Sequence, residues 1–297
     1  MPTLDLDKLK AHRARTFNLP PHKALTSPAQ ALDFVNARGF VYFWPIKGID
    51  FPSLWSAVAG DRPVPNQHDD PGHVTWGWKD GALDKRMWYY AKVLRRKATM
   101  ISLEIAPYFY ALTENYGDYK EDYLIPYEDG RLPQGAKQVY EAILDNGPLN
   151  TIDLRRMARM SNARDSEFNK ALEVLQADFK ILPIGVAKAG AWNYAFIYEI
   201  TARYWPDLVA DARHIGEAEA REKLLELYFQ SVGAAQMRDI GKLFRWGNAV
   251  TERAVKRLLE RGQVVADLTR EDNPLVGGRA PLRGQAGEWL ALADLVD

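Results

Sequence analysis

Apolar residues recur at helical spacing through most of the chain, and glycines mark where the pattern stops. SPAQALDFVNARG (27–39) has a serine cap, an apolar stripe and a terminal glycine, which predicts a helix. The next stretch places Phe40, Tyr42, Phe43 and Trp44 within five positions, straight before Pro45. Poor alternation there predicts a strand buried on both faces. FPSLWSAVAG predicts a short helix entered through Pro52. LPQGAKQVYEAILDNG (132–147) is amphipathic and ends at glycine, and Thr151 is placed to cap a second helix over TIDLRRMARM (151–160). A third helix is predicted over roughly 165–178, with Phe168, Ala171, Leu172 and Leu175 at the i, i+3, i+4, i+7 spacing. Two strand-like runs then flank Lys188–Ala191. The first 25 residues, with paired prolines in LPPHKAL, read as an arm lying on the body. The acidic stretch 114–130, ENYGDYKEDYLIPYEDG, reads as a long connection.

The same order of elements recurs downstream. EAEAREKLLELYFQSVG (217–233) is followed by AAQMRDIGKLFRWG, NAVTERAVKRLLERG (248–262), QVVADLT and a final strand candidate, EWLALADLV. Gly147 aligns with Gly233 and Leu172 with Leu258, giving an internal repeat of roughly 80 residues. Three helices and a hairpin, with a short turn after the first helix, is the order of a winged helix. The expected fold is therefore mainly α with small β-hairpins, an α+β chain of tandem winged-helix (helix-turn-helix) repeats. Its expected parts are an N-terminal region, 1–113, with a divergent winged-helix-like unit and an aromatic and basic block; a winged-helix unit over 131–205; and a C-terminal unit over 215–297.

Composition narrows the chemistry. The 297 residues contain no cysteine, which excludes disulfides, thiolate metal sites and a cysteine nucleophile. His68, Asp69, Asp70 and His73 form the one cluster with metal-ligand chemistry, and their Pro and Gly neighbours favour a surface loop over a metal site. No metal and no cofactor is expected. Formal net charge is zero, so no global field draws the chain to DNA or an acidic membrane, and any nucleic-acid contact must come from local patches. No signal pattern opens the chain and no apolar run reaches about 18 residues, so a cytoplasmic protein without membrane contact is expected, nucleoid-associated if it binds DNA.

In a helix-turn-helix the third helix can enter the major groove, about 12 Å wide. Asn169 and Lys170 stand on that helix in the first repeat, with Ser166 and Glu173, and Arg155, Arg156 and Arg159 lie on its partner. Asn248, Arg253, Lys256 and Arg257, with Thr251, take the same places in the second. Seven Lys or Arg against two Asp lie between Lys79 and Lys97, including Arg95 and Arg96, and Lys188 sits between the strand-like runs. These residues are the expected contacts to double-stranded DNA, plain or damaged. Winged helices also pack as protein scaffolds, and the third helices here mix Glu with Lys.

Several stretches together resemble the tandem winged-helix DNA glycosylases of bacteria, the AlkZ and YcaQ proteins. SPAQALDFVNARGF with FPSLW resembles that family's first helix and the segment after it; LRRKATMISLE (94–104) resembles its basic strand; EKLLELYFQSVGAAQMRDIGKLFRWG resembles its final unit. The resemblance implies DNA binding and excision of alkylated bases. It also implies a Gln-apolar-Gln or Gln-apolar-Asp motif after the first helix, where the polar side chains position the attacking water. Here those two positions fall on Val41 and Phe43, which can do neither acid-base nor electrostatic work. The expectation is a DNA-binding relative in damage recognition or repair that lacks the standard motif. One alternative is an N-glycosylase using other acids, Asp80 or Glu104, with an extruded base held between aromatics such as Tyr42, Trp44, Trp76 and Trp78. The other is a transcription regulator or scaffold without lesion chemistry. Bland roles stand beside each: a turn position for Asp80, a helix cap for Glu104, core packing for the tryptophans.

Overall fold

Among the described residues, three series repeat one order, a helix, a short strand, two more helices and two strands that share a sheet with the first; Thr269–Arg270, which lies between the last two strands of the third series, pairs instead with Thr3–Leu4. The computed structural model describes residues 3–266, 268–270 and 289–297. The first series runs Pro28–Arg38, Phe40–Tyr42, Leu54–Ala59, Val74–Leu83, Tyr89–Lys92 and Ala98–Ile101. The second runs Gln134–Asn146, Leu149–Asn150, Thr151–Met157, Asp165–Ala177, Ile181–Ala187 and Ala195–Ile200. The third runs Glu217–Val232, Ala234–Gln236, Met237–Phe244, Asn248–Glu260, Val264–Val265 and Trp289–Leu292. Each series makes one three-stranded antiparallel sheet in which its last strand lies between the other two. The chain is thus a mixed α+β protein of helices and small antiparallel sheets.

Two compact units result. One is built from Thr26–Phe43 and Pro65–Ala220; the other takes the described residues of Met1–Leu25, Trp44–Val64 and Arg221–Asp297. No helix among the described residues is long and apolar enough to cross a membrane.

Local chemistry sets the element ends. Ser27 accepts the Gln30 N–H at 3.3 Å, and Gly39, at φ 76°, ends the first helix in a left-handed turn that L side chains resist. Strand Phe40–Tyr42 then pairs with Ala98–Ile101, and Phe40, Val41 and Tyr42 are all fully buried. In the second series Asn150, rather than Thr151, is the cap: its carboxamide oxygen accepts the Ile152 and Asp153 N–H groups. Thr151 instead donates to the Phe196 carbonyl at 3.1 Å and ties the helix to the hairpin. Phe168, Ala171, Leu172 and Leu175 are buried, as their spacing requires, against Val139, Tyr140 and Ile143.

Two expectations fail for identifiable reasons. The opening 25 residues are not a surface arm. Asp5 caps a helix, Leu6–Thr16, and Leu4 and Leu9 enter a core with Ala234, Ala291 and Leu295. The stretch 114–130 is not a free connection either. Tyr119, Tyr123 and Tyr127 recur every fourth residue and pack on the core of the second series. Asp122 accepts the Tyr116 and Gly117 N–H groups at 2.9 Å, and the buried Lys180 ammonium reaches the Asp122 carbonyl at 3.0 Å.

Phe179 is the aromatic hub of this unit. It stacks on Tyr89 at 4.4 Å and lies 6.2 Å from both Phe109 and Tyr110, with its backbone at φ 54°. Phe179→Ala is expected to lower the unfolding free energy of this unit by about 3–5 kcal/mol, read from urea titrations; a loss within the range of a surface substitution contradicts the hub.

Candidate functional site

The site is assembled on helix Val74–Leu83, whose Trp76, Lys79 and Asp80 fall at i, i+3 and i+4 and so share a face. The Lys79 side chain turns inward and is 2% exposed. Its ammonium lies 4.5 Å from the Phe196 ring centre, 4.8 Å from Trp76, 5.5 Å from Phe43 and Tyr90, and 5.8 Å from Tyr194. Four rings thus turn the negative face of their quadrupoles to one cation, and Tyr194 meets it with its hydroxyl edge. Phe43 meets Trp76 and Tyr90 edge-on at 6.3 and 6.4 Å, and Tyr194 meets Phe196 at 5.5 Å, so the rings also hold one another.

Three polar groups close a triangle inside this chamber. Lys79 Nζ sits 2.7 Å from Asp80 Oδ1 and donates to Tyr194 Oη at 3.1 Å; Tyr194 donates to Asp80 Oδ1 at 3.0 Å. Burial pulls the Lys79 pKa below the ordinary lysine value, and the Asp80 partner opposes that pull. The Tyr194 phenol is pushed far above its usual range by burial and then by Asp80. Tyr90 is pushed up in the same direction by burial, then by Tyr198 and Asp80. Both phenols therefore stay protonated, and Tyr194 remains a donor to the carboxylate. The Asp80 side chain is 24% exposed and Trp76 is 38% exposed, so the carboxylate and one ring face the exterior.

Asp80 and Trp76 belong to the chamber. Lys79 was expected on a DNA phosphate, yet its ammonium is enclosed and already paired, so burial removes it from that role. Tyr42 is fully buried, and strand alternation turns it to the opposite face from Phe43, which takes it out of the stacking set. Trp44 belongs to the other compact unit, and Trp78 is half-buried on the site helix. Glu104 is exposed on the turn between Ala98–Ile101 and helix Ala106–Tyr110. Phe43, Tyr90, Tyr194 and Phe196 were missed as ring donors. The alternation Tyr194, Phe196, Tyr198 was the available signal, since a half-buried strand shows its aromatics at every second position.

The basic residues divide by what already holds them. Arg155 is spent internally: its Nε donates to the Met160 carbonyl at 3.1 Å, and its other nitrogens meet Asp165 and the Ala163 carbonyl. Arg156 pairs with Asp153 at 2.8 Å but stays largely exposed. Arg95 and Arg96 occupy consecutive left-handed positions, φ 52° and 57°, before Lys97; Arg95 and Lys97 are exposed and Arg96 half-buried. Arg159, Asn169, Lys170 and Lys188 are exposed in the same unit, and Asn248, Arg253, Lys256 and Arg257 in the other. Thr251, expected on the exposed face, is buried and bonds the Gly247 carbonyl at 3.1 Å. Among the described residues, no group of three or more His, Asp or Glu is arranged to hold a metal ion.

Residues 25–245, which include the whole chamber, match the family described as AlkZ related. The chain belongs to the AlkZ-related family. Its fold is also that of a solved structure, the Streptomyces sahachiroi DNA glycosylase AlkZ. The two share 14% identity with a TM-score of 0.57, over 98% of this chain and 71% of that one. No curated protein matches the chain. In this AlkZ-related protein the chamber combines a partly exposed carboxylate, a fixed phenol donor and an exposed indole face. Those parts can stabilise developing positive charge and stack a flat group.

Substituting the enclosed lysine separates its charge from its volume. Lys79→Met keeps the stem and is expected to change unfolding free energy by less than about 1.5 kcal/mol, because Asp80 retains Tyr194 and water. Lys79→Ala hollows the ring cage and should cost about 2–5 kcal/mol. Wild-type stability relative to Lys79→Met should rise as pH climbs towards 10.5, where the unfolded chain still holds the proton that the folded chain has released. Urea midpoints across an alkaline pH series read both; a pH-independent difference contradicts the buried charge.

Proposed function

We propose that this AlkZ-related protein binds double-stranded DNA through winged-helix units in damage recognition or repair, and that Asp80 organises excision of a damaged base. The observation that carries the reading is the Asp80 carboxylate itself. The segment in which the family resemblance calls for a polar pair holds Val41 and Phe43 here, and Phe43 forms one wall of the chamber that Asp80 enters through Lys79. The neighbouring helix thus offers a carboxylate that the strand lacks.

The chemistry follows from the geometry. As an N-glycosidic bond breaks, the base leaves with the electron pair and the sugar carbon gains positive charge. Lys79 and Tyr194 both meet Oδ1 and fix the orientation of the carboxylate. Oδ2 is the oxygen that meets the sugar, where it stabilises the cation and takes a proton from the water that adds to it. Trp76, the exposed ring at this site, offers a face on which the extruded base stacks.

The DNA frame draws on three supports. Each series of helices and strands has the winged-helix order, with its last strand central in the sheet. Exposed Asn169 and Lys170 lie on one third helix, and Asn248, Arg253, Lys256 and Arg257 on another, the side-chain types that read base edges and hold phosphates. The structural relative is a DNA glycosylase. A chain of zero net charge must bind through such patches, so its affinity should fall steeply with salt. The working compartment is the one that holds the DNA.

Release of alkylated purines from duplex DNA, measured by chromatography, tests the assignment. Asp80→Asn should reduce release by at least about 100-fold with unchanged DNA affinity, and Glu104→Gln should leave it unaltered. Base release undiminished in Asp80→Asn contradicts the role of Asp80. Preference for one duplex sequence without regard to damage favours a regulator instead.

A further inference from the structure

The hairpin that supplies Tyr194 and Phe196 ends in a turn of unusual exposure. Strands Ile181–Ala187 and Ala195–Ile200 pair from Ile181↔Ile200 to Ala187↔Ala195, and the tip spans the residues between. Gly190 at φ 75° and Asn193 at φ 52° frame a β-turn closed by the Asn193 N–H on the Gly190 carbonyl at 3.1 Å. Trp192 occupies the third position of that turn and is 91% exposed. It is an indole lifted into water by a turn whose geometry is fixed at both sides.

The surroundings decide what such a ring can meet. The turn rests on helix Thr151–Met157: a Cβ added at Gly190 would lie 3.2 Å from Ile152 Cδ1, so the tip has a firm support. Ile152 is itself 53% exposed. Lys188 and Arg156 are exposed on the hairpin turn and on that helix. An apolar tip beside Lys188 and the largely exposed Arg156, which also pairs with Asp153, fits a polyanion that presents flat, stackable faces. Two residues after the exposed indole, the same chain segment delivers Tyr194 to Asp80.

We infer that Trp192 is a stacking wedge, which enters the base stack of duplex DNA and fills the space left when a nucleotide turns out toward the chamber. The inference rests on the DNA-binding reading above. It assigns to the hairpin two coupled tasks: its strand fixes the carboxylate and its tip holds the duplex open. Base–aromatic stacking is worth about ten-fold or more in affinity per base and tolerates any base, so the wedge adds affinity for a gap without reading sequence.

Fluorescence anisotropy with the full chain tests this, using a labelled duplex that is either intact or carries one tetrahydrofuran abasic analogue. Wild type should bind the abasic duplex about ten-fold more tightly than the intact one. Trp192→Ala should lose that preference while keeping its affinity for the intact duplex and its salt dependence, and Trp192→Phe should retain most of the preference. An equal abasic preference in wild type and Trp192→Ala overturns the wedge while leaving DNA binding standing. Absence of binding to either duplex at low salt overturns both. Vesicles of equal parts phosphatidylcholine and phosphatidylserine serve as the competing surface. Vesicle binding that needs Trp192, alongside DNA binding that does not, assigns the tip to a membrane and also overturns the wedge.

Discussion

A lysine ammonium withdrawn from water is the constraint around which the site is built. Carrying a charge into an apolar interior is costly unless the charge is paired and its hydrogen-bonding capacity is met. Lys79 meets that demand with one carboxylate, one phenol and four ring faces drawn from four segments of the chain. Each partner is fixed in return. Asp80 is held at Oδ1, Tyr194 is turned to donate, and Phe43 is kept against Trp76. Removing the cation loosens the very group to which chemistry is assigned, which is why an enclosed lysine and a partly exposed aspartate belong to one device.

The supporting fold carries the same logic outward. A carboxylate works as an electrostatic catalyst only when its position is set before the charge develops. Here the site helix supplies Lys79 and Asp80, strands Tyr89–Lys92 and Ala195–Ile200 supply Tyr90 and Phe196, and the residue preceding the latter strand supplies Tyr194. Thr151 anchors the helix of the second series to the Phe196 carbonyl, tying the hairpin at the level of the chamber. Phe179 packs behind Tyr89 and couples the first sheet to the same aromatic layer.

The helices and the repeated order were readable because local spacing records them. Phe168 through Leu175 mark a buried face, and Gly39 and Gly147 mark helix ends, without reference to distant residues. The short strands Leu149–Asn150 and Ala234–Gln236 escaped notice since two or three residues carry no periodicity. The chamber was only half readable. Trp76, Lys79 and Asp80 share a face by spacing alone, but Lys79 read as one member of a basic run until rings from positions 43, 90, 194 and 196 closed over it. Arg155 deceived in the same way, its guanidinium consumed by Met160, Ala163 and Asp165. Long-range closure, which no local pattern records, separates a solvated charge from a buried one.

The central claim is that a carboxylate on the site helix takes over from a polar pair absent from the strand after the first helix. A crystal structure of the protein on duplex DNA bearing a cationic pyrrolidine mimic of the sugar intermediate tests it most directly. The account predicts the mimic's ring nitrogen within hydrogen-bonding reach of Asp80 Oδ2, about 3 Å, with a flat group stacked on Trp76. A mimic seated elsewhere, with Asp80 still bonded only to Lys79 and Tyr194, contradicts it.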